Sequence, residues 1–289
     1  MTGHLEIARL RGLRTAWWRS GNSSHPILLF LHGFPDSPET WQFQAEHFQS
    51  RYEVICPYTR GAGPSENSSK KDRFGLKASA LDLLQVLNRV DPEGKRPIYC
   101  VGHDLGAVHA SNLALYLGDR LKGLVLMNGL PLPVMARRIN RPHQLFKSWY
   151  IYFFQMPRVP ELAVKFFPKT LLRVAHQLGE IPESIALQKE QVQECLEAPL
   201  QQYREFAKEL PRALRNPVPS VNCPVLVLWG EKDAFLAPPN YEEFRPFAAH
   251  FTCRILPGNH WLHRVDPQRV NRLLGEFFEN RSEIGALSS

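Results

Sequence analysis

The sequence has no pair of cysteines spaced for a metal or redox motif. Its five, at positions 56, 100, 195, 223 and 253, are odd in number, widely separated and contain no C-x-x-C. That excludes a zinc ribbon and a disulfide framework, and predicts buried thiols in a reducing, cytoplasmic compartment. Long apolar runs are also missing. Ile27–Leu31 and Trp149–Phe154 fall well short of the ~20 residues a membrane helix needs. The opening MTGHLEIARLRGLRTAWWRS has no continuous apolar stretch of the signal-peptide kind. A soluble protein with no membrane span is expected. Nor is there a block of five basic residues, so the net charge of +7, from 35 basic and 28 acidic residues, reads as a solvated surface and not as a nucleic-acid footprint. What is present is ordinary globular usage, 44% hydrophobic and 22% charged, which excludes a disordered tail protein. A chain of 289 residues admits one large domain with an insertion or two small ones.

Short β-rich apolar runs alternate with helical stretches. Strands are expected at Leu5–Leu10, Thr15–Trp18, Ile27–Leu31, Glu53–Cys56, Ile98–Val101, Leu121–Met127, Val225–Trp229 and Phe251–Leu256. The internal runs are unbroken Val/Ile/Leu, as strands covered on both faces require. Amphipathic helices are expected at Leu76–Val90, Ala107–Leu117 and Val270–Phe278. The alternation implies an α/β fold, a mostly parallel twisted sheet with helices on both sides. One region breaks the rhythm. From Pro131 to Asn222 no run reads as a strand, and the stretch is bounded by Leu130-Pro131-Leu132-Pro133 and Asn216-Pro217-Val218-Pro219. It is expected to be a helical cap, residues 131–222, inserted between two parts of the α/β core, residues 1–130 and 223–289. With 13 basic and 8 acidic residues it carries most of the net charge.

The chemistry concentrates at strand ends. In Val101-Gly102-His103-Asp104-Leu105-Gly106-Ala107 a buried strand runs through Gly-x-Asp-x-Gly into a helix. This is the pattern of a nucleophile elbow, with Asp104 where an esterase would carry serine. The elbow alone leaves two readings open, since Asp104 could simply N-cap the helix. Two further strand ends weigh in: Gly230-Glu231-Lys232-Asp233 and Gly258-Asn259-His260-Trp261. Nucleophile, acid and histidine in the order 104, 233, 260 follow the chain order of α/β-hydrolase triads. The loop His32-Gly33-Phe34-Pro35 would lend the Phe34 N–H to an oxyanion hole, with Leu105 N–H as the second donor.

A carboxylate of reference pKa ~3.9 is ionised at neutral pH and attacks without a base. On a strained or activated saturated carbon it forms an ester that water can cleave, whereas a serine would form an inert ether. His260, oriented by Asp233, is then free to activate that water. Epoxides and alkyl halides suit this chemistry; peptides and simple esters do not. The leaving group separates the two: an epoxide oxygen needs a proton donor, a halide needs weak donors such as indole N–H. The cap offers Tyr150, Tyr152 and Tyr203, each of which periodicity alone would read as a packed core residue.

Taken together, these residues resemble the epoxide hydrolases of the α/β-hydrolase fold, from about residue 5 to 280. The resemblance rests on H-G-F-P, G-H-D-x-G-A, the cap signature W-Y-x-x-F-F-Q-x-P-x-x-P-E, P-L-x-x-Y-R, G-x-x-D and G-x-H-W. It implies a soluble, cap-bearing hydrolase that turns an epoxide and water into a vicinal diol. Asp104, Asp233 and His260 match the triad, and Tyr150 and Tyr203 match the tyrosines that activate the epoxide oxygen. Tyr152 matches no functional position. Two departures stand out: Leu105 replaces the usual Trp after the nucleophile, and Tyr58 replaces the Asp of a P-D-x-R-G turn and is read as structural. Leu105 also weighs against a haloalkane dehalogenase, and His109 and Asn112 do not supply the arginines of a fluoroacetate dehalogenase. A non-enzymatic binding member of the fold is the remaining alternative. His103 is expected to be a packing residue, and neutral Asn128 leaves Asp233 to orient the histidine. No metal or cofactor is expected. Trp149, Phe153, Phe154 and Trp261 are expected to line an apolar pocket, with Phe166 and Phe167 nearby, and the basic cap to favour substrates bearing a carboxylate.

Overall fold

The computed structural model describes residues 1, 3–67, 74–167 and 197–279. All eight apolar runs form strands: β1 (His4–Leu10), β2 (Leu13–Ser20), β3 (Ile27–Leu31), β4 (Glu53–Pro57), β5 (Ile98–His103), β6 (Leu121–Met127), β7 (Val225–Gly230) and β8 (Phe251–Leu256). They form one sheet in the order β1-β2-β4-β3-β5-β6-β7-β8. Pairing is antiparallel from β1 through β2 to β4, and parallel from β4 onward. β3, β4, β5 and β7 are buried at every residue, which is why they carry no polar alternation. The edge strand β1 alternates instead. Its hairpin to β2 turns on Arg11 and Gly12, both at positive φ, the backbone a tight turn matched to strand twist demands.

Helices cover both faces. In the first half they are α1 (Gln42–Phe48), α2 (Leu76–Val90) and α3 (Leu105–Leu117). Between β6 and β7 come α4 (Leu132–Ala136), α5 (Pro142–Lys147), α6 (Trp149–Gln155), α7 (Val159–Phe166) and α8 (Glu197–Arg215). After β7 come α9 (Tyr241–Phe244), α10 (Leu262–Val265) and α11 (Pro267–Glu279). Side chains on a strand alternate in direction, so β3 feeds two cores. Ile27, Leu29 and Leu31 pack with Leu83, Val86 and Leu87 of α2 and Leu113 of α3, while Leu28 and Phe30 pack with Phe48 of α1 and Leu274 and Phe278 of α11. Burying each such side chain is worth about 1.5–3 kcal/mol.

Between β6 and β7 the described residues contain helices and no strand. Residues 168–196, including Cys195, lie outside the described residues, as do positions 68–73 of the polar loop expected at Glu66–Arg73. Prolines occupy the first turns of α4, α5 and α7, where a missing N–H costs nothing. Arg137 ties α4 to the end of α8. Its guanidinium donates to Pro133 O at 2.7 Å, Ala213 O at 3.1 Å and Asn216 O at 3.0 Å. Arg204 of α8 pairs with Glu161 of α7 and donates to Phe154 O at 2.9 Å. The chain rejoins the sheet through a bridge from Val221 to Ala248.

Candidate active site

Five strand ends meet at one place because the parallel strands all point their carboxyl ends there. Asp104 follows β5 and opens α3 with φ 54° and ψ −121°. Its side chain makes no cap hydrogen bond, so the N-cap reading falls. A non-glycine residue held in this sparsely populated region stores about 1–3 kcal/mol. The flanking sequence explains how the turn survives. A Cβ at Gly106 would stand 2.1 Å from the main-chain oxygen of Leu31, and one at Gly33 would stand 2.5 Å from Asp104 Cβ. Only glycine lets α3 press against β3 while the loop after β3 presses against Asp104.

That loop meets the carboxylate directly. Phe34 N–H donates to Asp104 Oδ1 at 3.0 Å, and the nearby Leu105 N–H favours the charged form of the carboxylate. His32 braces the loop: its Nδ1 donates to Gly33 O at 3.0 Å, and its Nε2 accepts from Thr59 N at 3.2 Å. Burial favours a neutral Asp104, but His260, His103 and the Leu105 N–H outweigh it and hold the carboxyl below its ordinary value.

Asp233, after β7, faces His260, after β8. His260 Nδ1 donates to Asp233 Oδ2 at 2.9 Å, and His260 Nε2 lies 3.5 Å from Asp104 Oδ2. Asp233 is saturated: Phe235 N and Leu236 N donate to Oδ1 at 2.7 and 3.0 Å, and Asn128 Nδ2 donates to Oδ2 at 2.6 Å. Asn128, after β6 and at φ 46°, is thus a donor to the acid. Burial opposes the charged forms of both partners, yet Asp233 is lowered by its neighbours and His260 is raised to about 10 by the two carboxylates. Beneath His260 lies His103, 0% exposed, whose Nε2 donates to His260 O at 2.8 Å. Burial and the charge of His260 push His103 down to about 4, so it is a neutral packing partner. Asp36, His103 and His263 form a buried group with ligand atoms within 4.8 Å of one another. Trp261 Nε1 donates to Asp36 at 2.9 Å, Thr40 donates to it at 3.2 Å and the Arg264 guanidinium sits 3.6 Å away. Those contacts make the group a polar layer under the histidine.

Opposite the strand ends stand Tyr150 of α6 and Tyr203 of α8. Their rings meet edge to face at 5.9 Å. Burial and the nearby Asp104 carboxylate raise both well above an ordinary phenol, so both stay protonated. Tyr152 points elsewhere, donating to Asn140 Oδ1 at 2.9 Å, and Tyr58 braces Glu39 and Trp18. The two tyrosines and Asp104 share a cavity of about 60 Å³ walled by Leu130, Leu132, Met135, Ile139, Leu210 and Leu236.

The wall differs from expectation. Trp149, Phe153, Phe154 and Trp261 are not in the lining of this cavity. Trp149 is half exposed, Phe153 stacks between Trp149 and Phe154, and Phe154 packs behind Tyr150 and Tyr203. Trp261 is turned away because its indole N–H is spent on Asp36. Phe166 and Phe167 are 63% and 62% exposed. Several described basic residues of this stretch are committed elsewhere: Arg137 to carbonyls, Arg138 and Arg141 to Glu243, Arg204 to Glu161, Lys208 to Glu205 and Lys147 to Asp233 O. No lysine or arginine lines the cavity among the described residues, which leaves the expected preference for a carboxylate without a residue to carry it. One ring went unforeseen. Phe235 stands edge-on to His260 at 5.0 Å and to Tyr150 at 5.8 Å; its signal was its place two residues after Asp233.

A family model described as "alpha/beta hydrolase fold" matches residues 26–267. Human epoxide hydrolase 4 is 30% identical over 287 residues, covering 94% of this chain and 77% of that protein. Epoxide hydrolase 3 of Xenopus tropicalis is 29% identical over 286 residues, covering 93% and 75%. Among solved structures, an epoxide hydrolase from hot-environment metagenomes superposes with a TM-score of 0.78 at 24% identity, covering 96% of this chain and 99% of that one. An epoxide hydrolase mutant from Bacillus megaterium gives 0.77 at 21% identity, covering 94% and 99%.

Proposed function

The chain belongs to the α/β-hydrolase fold family and, within it, to the epoxide hydrolases, and from that premise we propose that it forms a vicinal diol through an ester on Asp104. The observation that carries this reading is the grip on the nucleophile: Oδ1 is held by the Phe34 N–H at 3.0 Å, while Oδ2 lies 3.5 Å from His260 Nε2. Oδ2 attacks an epoxide carbon, the ring C–O bond breaks, and the departing oxygen takes a proton from the Tyr150–Tyr203 pair. Oδ1 becomes the ester carbonyl oxygen already seated on the Phe34 N–H. Before attack, two carboxylates keep His260 charged. Esterification removes one of them, so the imidazole gives up its proton, which returns to the phenolate left by ring opening, and neutral His260 becomes the base that draws a proton from water. The hydroxide adds to Asp104 Cγ, the charge develops on Oδ1 facing the Phe34 N–H, and collapse breaks the ester C–O bond, the departing oxygen taking the added hydroxyl's proton to give the diol, ionised Asp104 and protonated His260.

Residues 131–222 act in this account as the cap that brings the tyrosines over the nucleophile. The aliphatic cavity supports an apolar substituent on the epoxide. A halide-forming reaction gains no support, since Leu105 supplies no indole and that of Trp261 is committed to Asp36. No described helix is long and apolar enough to cross a membrane. Four described cysteines are free thiols, three of them buried, which supports a reducing compartment such as the cytoplasm. The test is His260→Gln treated with styrene oxide and measured by intact mass. An adduct of the epoxide's mass on the Asp104 peptide is expected to accumulate; an unmodified protein, or an adduct elsewhere, contradicts the mechanism.

A further inference from the structure

The loop that carries the catalytic acid is held from above by the inserted helices. Inside the loop, Asp233 Oδ1 already accepts from Phe235 N and Leu236 N. Its outward main-chain groups are taken by α5 and the residue after it. Gln144 Oε1 accepts from Ala237 N at 3.1 Å, and its Nε2 donates to Phe235 O at 3.3 Å and to Ser148 Oγ at 2.6 Å. Ser148 Oγ also reaches Phe235 O at 3.4 Å, and the Lys147 ammonium donates to Asp233 O. Gln144 is 2% exposed and Ser148 0%. A buried amide using both ends on one loop leaves that loop little freedom, and leaving its partners unpaired would cost the full desolvation of each.

We propose that Gln144, Lys147 and Ser148 form a clamp that sets the Asp233–His260 pair for ester hydrolysis, making them positioning residues of the second half-reaction. The proposal rests on the Asp104 ester reading and deepens it. Its asymmetry follows from what the clamp touches. All its bonds to the core end on residues 233–237, which orient the base. None ends on Asp104 or on the elbow. Tyr150 lies two residues beyond Ser148 but is also held by the rings of Tyr203, Phe154 and Phe235. Alkylation, which uses Asp104 and the tyrosines, therefore survives loss of the clamp, while hydrolysis, which needs the imidazole aimed at the ester carbonyl, does not. The arrangement also gives the helical insertion a second task besides presenting the tyrosines.

The experiment is single-turnover quench with enzyme in excess over styrene oxide, following ester formation and decay by intact mass. Gln144→Ala is expected to slow ester decay on the order of tenfold, as a small misplacement of a catalytic group does, and to leave ester formation within about twofold. Lys147→Met, which removes a half-exposed side chain and spares the core, should show the same bias more weakly, and Lys147→Arg should restore it. A fall of both rates together, or Met and Arg at 147 behaving alike, overturns the clamp while leaving the ester intact. A wild-type chain that forms neither ester nor diol overturns the underlying reading as well.

Discussion

At the strand ends Asp104, Asp233 and His260 are buried charged groups, each pinned by directed hydrogen bonds from a different loop of the sheet. Across the cavity Tyr150 and Tyr203 are held mainly by rings: Phe34, Phe154, Phe235 and each other. The contrast follows from what each side must do. Charge in a dry site is tolerated only where partners are fixed, so the ionic half sits on the rigid sheet. A protonated phenol carries no charge to compensate, so packing alone can hold it, and the helical side can tolerate changes in shape that the sheet side cannot.

Substitution on the two sides should separate them by size of effect. Asp104→Asn removes the nucleophile and should lower turnover on the order of 10⁴-fold or more, with no ester detectable. Tyr150→Phe or Tyr203→Phe should each leave a residual enzyme, slower in ester formation by roughly 10–100-fold, with the double change approaching the Asp104→Asn level. Single-turnover quench measures both. Equal losses from one tyrosine and from Asp104 would dissolve the contrast.

Stability should follow the same divide. Gly106→Ala puts a methyl against the Leu31 carbonyl oxygen, which is backbone and cannot swing aside. It should cost about 1–3 kcal/mol or more and shift denaturant midpoints accordingly. A smaller effect comes from pH. Burial lowers His103 and His109 to about 4 and pushes His263 well down as well, from an ordinary 6.5. Below pH 6.5 the unfolded chain binds protons that the folded chain refuses, so stability should fall as pH drops from about 6.5 toward 4. Each histidine contributes on the order of 1 kcal/mol per pH unit. His109 touches Gln202 and not the triad, so His109→Gln should flatten the slope, as read by urea unfolding at pH 5 and 7.

The sheet side was also the more legible in sequence. Continuous apolar runs could be nothing but covered strands, and Gly102, Asp104 and Gly106 mark a turn few other structures need. Tyr150 and Tyr203 were legible through resemblance alone, because a tyrosine at helical spacing looks the same in a core as in a site. The cavity walls were not legible. Leu132, Met135, Ile139 and Leu210 have the pattern of ordinary buried residues, and only the fold decides that they face the nucleophile. The aromatic residues of Trp149–Phe154 invited the opposite conclusion, yet a helix of seven residues has several faces, and of its rings only Tyr150 reaches the cavity while Trp149 faces out and Phe154 packs behind it. Gln144 and Ser148 gave no signal, since their partners lie some 90 residues away in sequence.

Oxygen transfer tests the central claim most directly. With enzyme in excess over styrene oxide in ¹⁸O water, one turnover should yield diol without ¹⁸O and leave the label in the Asp104 carboxylate, because the diol's new oxygen comes from the enzyme. Diol carrying ¹⁸O from that first turnover would mean that water attacks the epoxide itself, and would contradict the account.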